Sequence, residues 1–181
     1  MSAAAQTFEP ANQAEQTQYL TFVLGSEVFA IGILAVKEII EYGQLTEVPM
    51  MPACIRGVIN LRGSVVPVMD LAVRFGKTAK PVSKRTCIVI VETEQVGERE
   101  DVGVIVDAVN AVLDIPAADV EPPPAFGAKI NSEFIQGLGK VDGKFVILLN
   151  ADSVLAIESF DAAMQELPAD LALANNFTAN E

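Results

Sequence analysis

Apolar and polar residues alternate in short runs along most of this chain, and small turn-forming pairs separate the runs. Tyr19 to Leu24 places Leu20, Phe22 and Leu24 on one face, as a half-buried strand requires. Gly25-Ser26 is a two-residue turn with Gly first, and Glu27 to Ile33 returns with Phe29, Ile31 and Ile33 on one face. Leu34 to Tyr42 reads as a short helical turn leading into a strand. Pro49, Pro52 and Gly57 punctuate the loop that follows. Gly57 to Leu71 reads as two strands joined by Gly63-Ser64, for which a type II′ turn is expected. Pro67 has no amide hydrogen, so its strand needs a free side there. Asp70 suits a helix N-cap ahead of Leu71, Ala72, Val73 and Phe75.

The second half repeats the scheme. Gly76 to Lys84 is a polar linker, and Thr86 to Val91 is a buried-type strand. Glu92 to Asp101 reads as an acidic loop, and Val102 to Val106 and Val109 to Ile115 as strands. Pro116 to Lys129 is a loop. Phe134 to Val141 and Lys144 to Asn150 form a hairpin around Asp142-Gly143, a type I′ signal. Residues 1–17 form a polar, Ala-rich lead-in with the character of a disordered tail. From about Ser159, Phe160, Met164, Leu167 and Leu171 recur at helical spacing, which predicts a C-terminal helix disturbed at Pro168.

The two halves align without gaps. With Gly57 on Gly137, Gly63 falls on Gly143, Val66 on Val146 and Asp70 on Asn150. With Ile33 on Val106, Val36 falls on Val109 and Ile39 on Val112. Two similar units therefore start near Tyr19 and Thr86. Each has about five strands, which predicts a mainly β chain of two paired small barrels with short helices. The domain layout is a tail over 1–17, a double-barrel body over 18–157, and a helix with a frayed end over 158–181. Whether strands cross between the barrels stays open at this level.

Composition narrows the chemistry. The chain has 181 residues, 51% of them hydrophobic, and a net charge of −12. That charge repels phosphate backbones, so a small-barrel nucleic-acid binder, the reading from another class, is disfavoured. Histidine is absent, which removes the commonest general base and metal ligand. Cys54 and Cys87 stand apart in apolar surroundings and read as buried free thiols. There is no G-x-S-x-G or Walker A pattern. No catalytic residue, metal ligand or cofactor site is assigned. The N-terminus lacks a signal-peptide pattern, and the apolar run Val28 to Val36 is too short to span a bilayer, so no membrane insertion is expected.

A binding surface remains. Arg62 is the single charge between Val58 and Met69. As a residue alone it reads first as an exposed turn arginine, and second as an interface anchor, a role in which arginine is enriched. Val36, Glu38 and Ile39 also have two readings. Val36 and Ile39 cannot both point inward from a regular strand, so part of this apolar surface is either exposed for docking or packed by a helical turn.

Five ordered blocks between Tyr19 and Leu155 resemble the CheW family of bacterial chemotaxis coupling proteins. They are GILAVKEIIE from Gly32, GVINLRGSVVPVMDLAVRFG from Gly57, VGVIVDAVNAVLDI from Val102, EPPPAF from Glu121 and GLGKVDGKFVILLN from Gly137. The resemblance implies two five-stranded SH3-like barrels and no enzymatic activity. It implies an adaptor between the cytoplasmic tip of methyl-accepting chemoreceptors and the regulatory domain of the kinase CheA. Further copies would join it in rings, in the cytoplasm beneath membrane receptor arrays. A receptor helical hairpin would dock between the barrels. By the same resemblance Val36, Glu38, Arg56, Gly57 and Arg62 match coupling positions, with Ile39 beside them. Thr86 and Ile88 match positions near the receptor groove, and Phe126 matches an apolar residue of the second ring interface. Glu121 stands where some relatives carry a basic residue, and Glu98 to Asp101 lengthens a loop.

Overall fold

The structure is a computed structural model that describes residues 18–95, 97–123 and 132–156. The first hairpin pairs β1 (Gln18–Leu24) with β2 (Glu27–Gly32) around Gly25-Ser26, and Gly25 has φ +66° as a Gly-first turn requires. A 3-10 turn at Ile33–Ala35 leads into β3 (Val36–Glu41), matching the predicted turn and strand. The central hairpin is β4 (Ile55–Leu61) and β5 (Ser64–Asp70), followed by the short helix α1 (Leu71–Arg74). Asp70 caps α1 as expected, accepting from the Ala72 amide at 3.0 Å and the Val73 amide at 3.4 Å. In the second half come β6 (Cys87–Gln95), β7 (Glu98–Val106) and β8 (Ala108–Asp114). A 3-10 turn at Ala117–Asp119 and the two-residue β9 (Val120–Glu121) lie within the predicted loop after Pro116. Then follow β10 (Ile135–Val141), β11 (Lys144–Leu149) and α2 (Ala151–Val154), capped by Asn150, whose side chain accepts from the Ser153 amide at 3.2 Å.

Two expectations need correction. The central turn is Arg62-Gly63, not Gly63-Ser64. Leu61 pairs with Ser64, and Arg62 (φ +52°) and Gly63 (φ +89°) are both left-handed, as in a type I′ turn. Asp142-Gly143 has the same form, with φ +51° and +79°. The segment Glu92 to Asp101 is not a loop. β6 and β7 continue through it as a ladder in which Glu92 pairs with Asp101 and Glu94 with Arg99. The charges that suggested a loop are matched across the ladder. Lys37 lies 3.1 Å from Asp101 and 3.8 Å from Glu92, and Arg99 lies 3.8 Å from Glu92.

The described residues are mainly β, in two sheets. One runs β8-β1-β2-β11-β10-β9 and the other β3-β6-β7-β5-β4. Strands do cross between the repeat units. β3 pairs with β6, β8 pairs with β1, and the parallel pairs β5–β7 and β2–β11 join one unit to the other. The β5–β7 pairing runs from Val68 to Asp70, so Pro67 falls just outside it.

Among the described residues, three apolar clusters fill the fold. The central one lies between the sheets and includes Phe22, Phe29, Met69, Val89, Val104 and Leu149. Tyr19, Ala30, Ile115, Val146 and Leu148 fill the far side of the first sheet. Val66, Val68, Ile88, Ile90 and Ile105 fill the far side of the second. Four phenylalanines thread the central cluster: Phe22 to Phe29 at 6.2 Å, Phe29 to Phe75 at 5.4 Å, and Phe75 to Phe134 at 6.2 Å between ring centroids. The lead-in over 1–17, Phe126 and the predicted helix beyond Ser159 lie outside the described residues.

Phe29 is fully buried at the middle of that stack. Phe29→Ala is expected to cost about 3–5 kcal/mol in urea unfolding, a large share of a small protein's stability. A loss below about 1 kcal/mol would mean the stack is not the core. Gly63→Val forces a β-branched residue to φ +89° and is expected to cost about 1–3 kcal/mol by the same measurement. Unaltered stability would contradict the left-handed turn.

Candidate functional site

β3 and β4 are the two edges of the second sheet, four strand positions apart. The sheet curls until those edges approach. Thr46, just past β3, bridges to Val58 in β4 by two backbone hydrogen bonds of 2.8 and 2.9 Å. Ile40, Tyr42 and Leu45 pack with Ile59 and Leu61 over the buried Val66, Val68, Ile88 and Ile90. Gly57 permits this closure, because a Cβ there would stand 2.5 Å from the Thr46 carbonyl oxygen.

Across the curled edges Glu38 meets Arg62. Arg62 Nη1 donates to Glu38 Oε1 at 2.6 Å and Nη2 to Oε2 at 2.9 Å, a two-pronged pair. Glu38 comes from β3 and Arg62 from the left-handed turn at the tip of β4–β5. The Arg62 side chain is 74% exposed and Glu38's is 26% exposed. The hydrogen bond from Arg62 holds the Glu38 carboxyl below its ordinary value, and the Glu38 carboxylate raises Arg62.

The neighbouring positions divide by burial. A bulge between Val36 and Glu38 resolves the two readings of β3. Val36 packs against the central core, whereas Ile39 is 43% exposed beside Glu38. Arg56 is engaged internally: its Nη1 donates to Asp70 Oδ2 at 2.9 Å, while Asp70 Oδ1 caps α1. Thr86 is buried, and its hydroxyl accepts from the Ser83 amide at 2.8 Å. Ile88 is buried at the base of a recess of about 590 Å³, walled by Glu41, Gln44, Thr46 and Asn60. Cys54 is a buried free thiol, raised by desolvation, while Cys87 is half-buried rather than buried.

A larger groove of about 900 Å³ lies where both sheets contribute residues. Tyr19 and Gln136 of the first sheet line it, as do Glu94 and Arg99 of the second and Leu34 on the 3-10 turn. Leu34 is 72% exposed. Asp152 of α2 ties the walls together by accepting from the Glu94 amide at 3.0 Å. Burial raises the Tyr19 hydroxyl, against a weaker hydrogen bond with Gln136. Val36, Glu38, Ile39, Arg56, Gly57, Arg62, Thr86 and Ile88 do not line this groove. Its acidic wall was hidden in the segment read as a loop. Its apolar lip was signalled by the break in alternation after Gly32.

Among the described residues no group of three or more carboxylates and cysteines is arranged to hold a metal ion, and no helix is long and apolar enough to cross a membrane.

The Glu38–Arg62 pair has a pH signature. A carboxyl held below its unfolded value contributes stability above that value and loses it as pH falls through the folded value. The difference in Tm between the protein and Glu38→Gln is therefore expected to be constant near neutral pH and to fade below pH 4.5, the ordinary value for this carboxyl. A difference that does not change with pH would mean the pair is not formed in solution. Gly57→Ala is expected to lower Tm because of the Thr46 clash. An unchanged Tm in that variant would contradict the edge closure.

Known proteins match both this architecture and its sequence blocks. A chemotaxis protein CheW of Klebsiella aerogenes is 34% identical over 158 residues, covering 87% of this chain and 93% of that protein. A chemotaxis protein CheW of Rhizobium meliloti is 35% identical over 147 residues, covering 81% and 92%. Protein FrzA of Myxococcus xanthus is 30% identical over 142 residues, covering 77% and 86%. Among solved structures, the scaffolding protein TtCheW from Thermoanaerobacter tengcongensis superposes with a TM-score of 0.70 at 34% identity, covering 79% of this chain and 90% of that one. The model of the CheW-like domain matches residues 18–159, a span holding both sheets, the edge ion pair and the groove, and the chain belongs to that family.

Proposed function

We propose that this chain is a non-catalytic adaptor that couples the cytoplasmic tip of methyl-accepting chemoreceptors to the histidine kinase CheA and helps assemble their signalling array beneath the membrane. Family membership supports the chemotaxis reading. The observation that carries the site assignment is the exposed Glu38–Arg62 pair. It fixes a charged, two-residue feature on a curled edge, with Ile39 exposed beside it. An arginine held in one orientation and still largely exposed suits a protein interface, because little rotamer freedom is left to lose on docking. We assign Glu38, Ile39 and Arg62 to the contacting surface. Val36, Arg56, Gly57, Thr86 and Ile88 support that surface from beneath. Phe126 is assigned to contacts with neighbouring copies or with the kinase, by family resemblance. The groove with its exposed Leu34 suits an amphipathic helix, which buries side chains at helical spacing. Individually weak contacts gain strength from multivalency in an array.

A second reading places the chain in a receptor–kinase pathway outside chemotaxis. The match to protein FrzA, a relative that does not carry the CheW name, favours keeping it in view.

The test is CheA autophosphorylation with receptor-containing membranes. Adding this chain is expected to raise phosphorylation only when receptor and kinase are both present. Arg62→Ala is expected to lose most of that increase with no greater fall in Tm than Glu38→Gln shows. Full activation by Arg62→Ala would remove Arg62 from the interface, and a large fall in Tm would make it structural.

A further inference from the structure

Residues 76–85 cross from α1 toward β6, mostly exposed, joining one repeat unit to the other. Four of the chain's twelve Lys and Arg residues fall there: Lys77, Lys80, Lys84 and Arg85. On a chain of net charge −12 this is a marked local concentration of positive charge. Lys77 pairs with Glu27 at 3.3 Å and Lys80 reaches Asp107 at 3.8 Å. Lys84 and Arg85 are exposed, and neither side chain has a carboxylate partner among the described residues. Val82 between them and Lys80 is 50% exposed.

The described chain leaves at the root of this linker. Arg74, at the end of α1, donates from Nε to the Val154 carbonyl at 2.9 Å and from Nη2 to the Ala156 carbonyl at 3.0 Å. Its guanidinium also lies 4.5 Å from the centre of the Phe134 ring. Beyond Ala156, residues 157–181 contain Glu158, Asp161, Glu166, Asp170 and Glu181, with no Lys or Arg. Phe160, Met164 and Leu167 recur there at helical spacing. Ten helical residues from Glu158 to Leu167 would span about 15 Å. The linker from Lys77 to Arg85 reaches at most about 30 Å, so a segment that starts beside Arg74 is long enough to overlie a good part of it.

We propose that the acidic segment Glu158–Leu167 folds back onto the basic linker, setting its carboxylates against Lys84 and Arg85 and its apolar residues against Val82. The linker is then a docking surface for the chain's own C-terminal segment. This strap shields the linker's two unpaired cations, and salt loosens it, because exposed charge pairs are weak and screened.

Trypsin reads this directly, since it cuts after Lys84 and Arg85 and finds no site in residues 157–181. Cleavage of the full chain at those bonds is followed by mass spectrometry beside the triple variant Glu158→Gln, Asp161→Asn, Glu166→Gln. At low salt the variant is expected to be cut several-fold faster. At about 1 M salt, where the screening length is about 3 Å, the two rates are expected to converge. Equal rates at low salt would overturn the proposal and leave the linker open to acidic surfaces of other molecules. In a second measurement, the amide resonances of residues 158–167 are expected to shift when Lys84 and Arg85 are both changed to Gln. Resonances that do not move would also overturn it.

Discussion

Backbone hydrogen bonding in this protein closes only when both halves of the chain are present. β3 has its antiparallel partner in β6, and β8 has its partner in β1. The parallel pairs β5–β7 and β2–β11 repeat the exchange inside each sheet. An unpaired strand leaves a row of amides and carbonyls whose burial is costly. Neither repeat unit therefore completes a sheet alone. The apolar faces obey the same constraint, because the central cluster takes Phe22 and Phe29 from one sheet and Val89 and Val104 from the other. Arg74 adds a polar clasp between the units by donating to the Val154 carbonyl at the end of α2 and the Ala156 carbonyl beyond it, while resting on Phe134.

The proposed interaction surface is a consequence of that closure. Curling the second sheet brings its outer strands together, and the Thr46–Val58 bridge holds them. The approach needs the missing Cβ of Gly57. With the edges fixed, Glu38 and Arg62 meet in one geometry. Arg62 reaches that geometry from a left-handed backbone, a conformation that costs an ordinary L-residue energy and recurs at functional positions. The internal counterpart at Asp142 has a residue better suited to such a turn. Arginine at this position sets its proposed interface role against local backbone preference.

Much of the fold was legible in local pattern. Alternation located the strands, the Asp70 cap marked the turn into α1, and the repeat aligned the hairpins and set Asn150, the cap of α2, on Asp70. The misplaced central turn shows where local rules stop. Gly63-Ser64 satisfied turn chemistry, but Gly63 aligns with Gly143, and that alignment puts Arg62 opposite Asp142 as the first turn residue. The acidic hairpin was lost because its charges are matched by Lys37 from β3 and by Arg99 within the hairpin itself. Strand exchange is a long-range choice of partner and leaves no mark on periodicity. Arg62 and Glu38 were each visible as isolated candidates. Their pairing depended on the curl of the sheet, whereas the burial of Thr86 and Ile88 followed from the apolar run to Val91.

An adaptor must hold two partners at once, at surfaces that do not overlap. The Glu38–Arg62 edge and the groove beside Leu34 are built from different residues, so simultaneous occupancy is the expectation. The most direct measurement is sedimentation velocity of this chain mixed with a chemoreceptor cytoplasmic fragment and the CheA regulatory domain, separately and together. The account predicts a binary complex with each partner and a ternary complex when all three are present. Mutually exclusive binding, or a folded chain that binds neither partner, would contradict it.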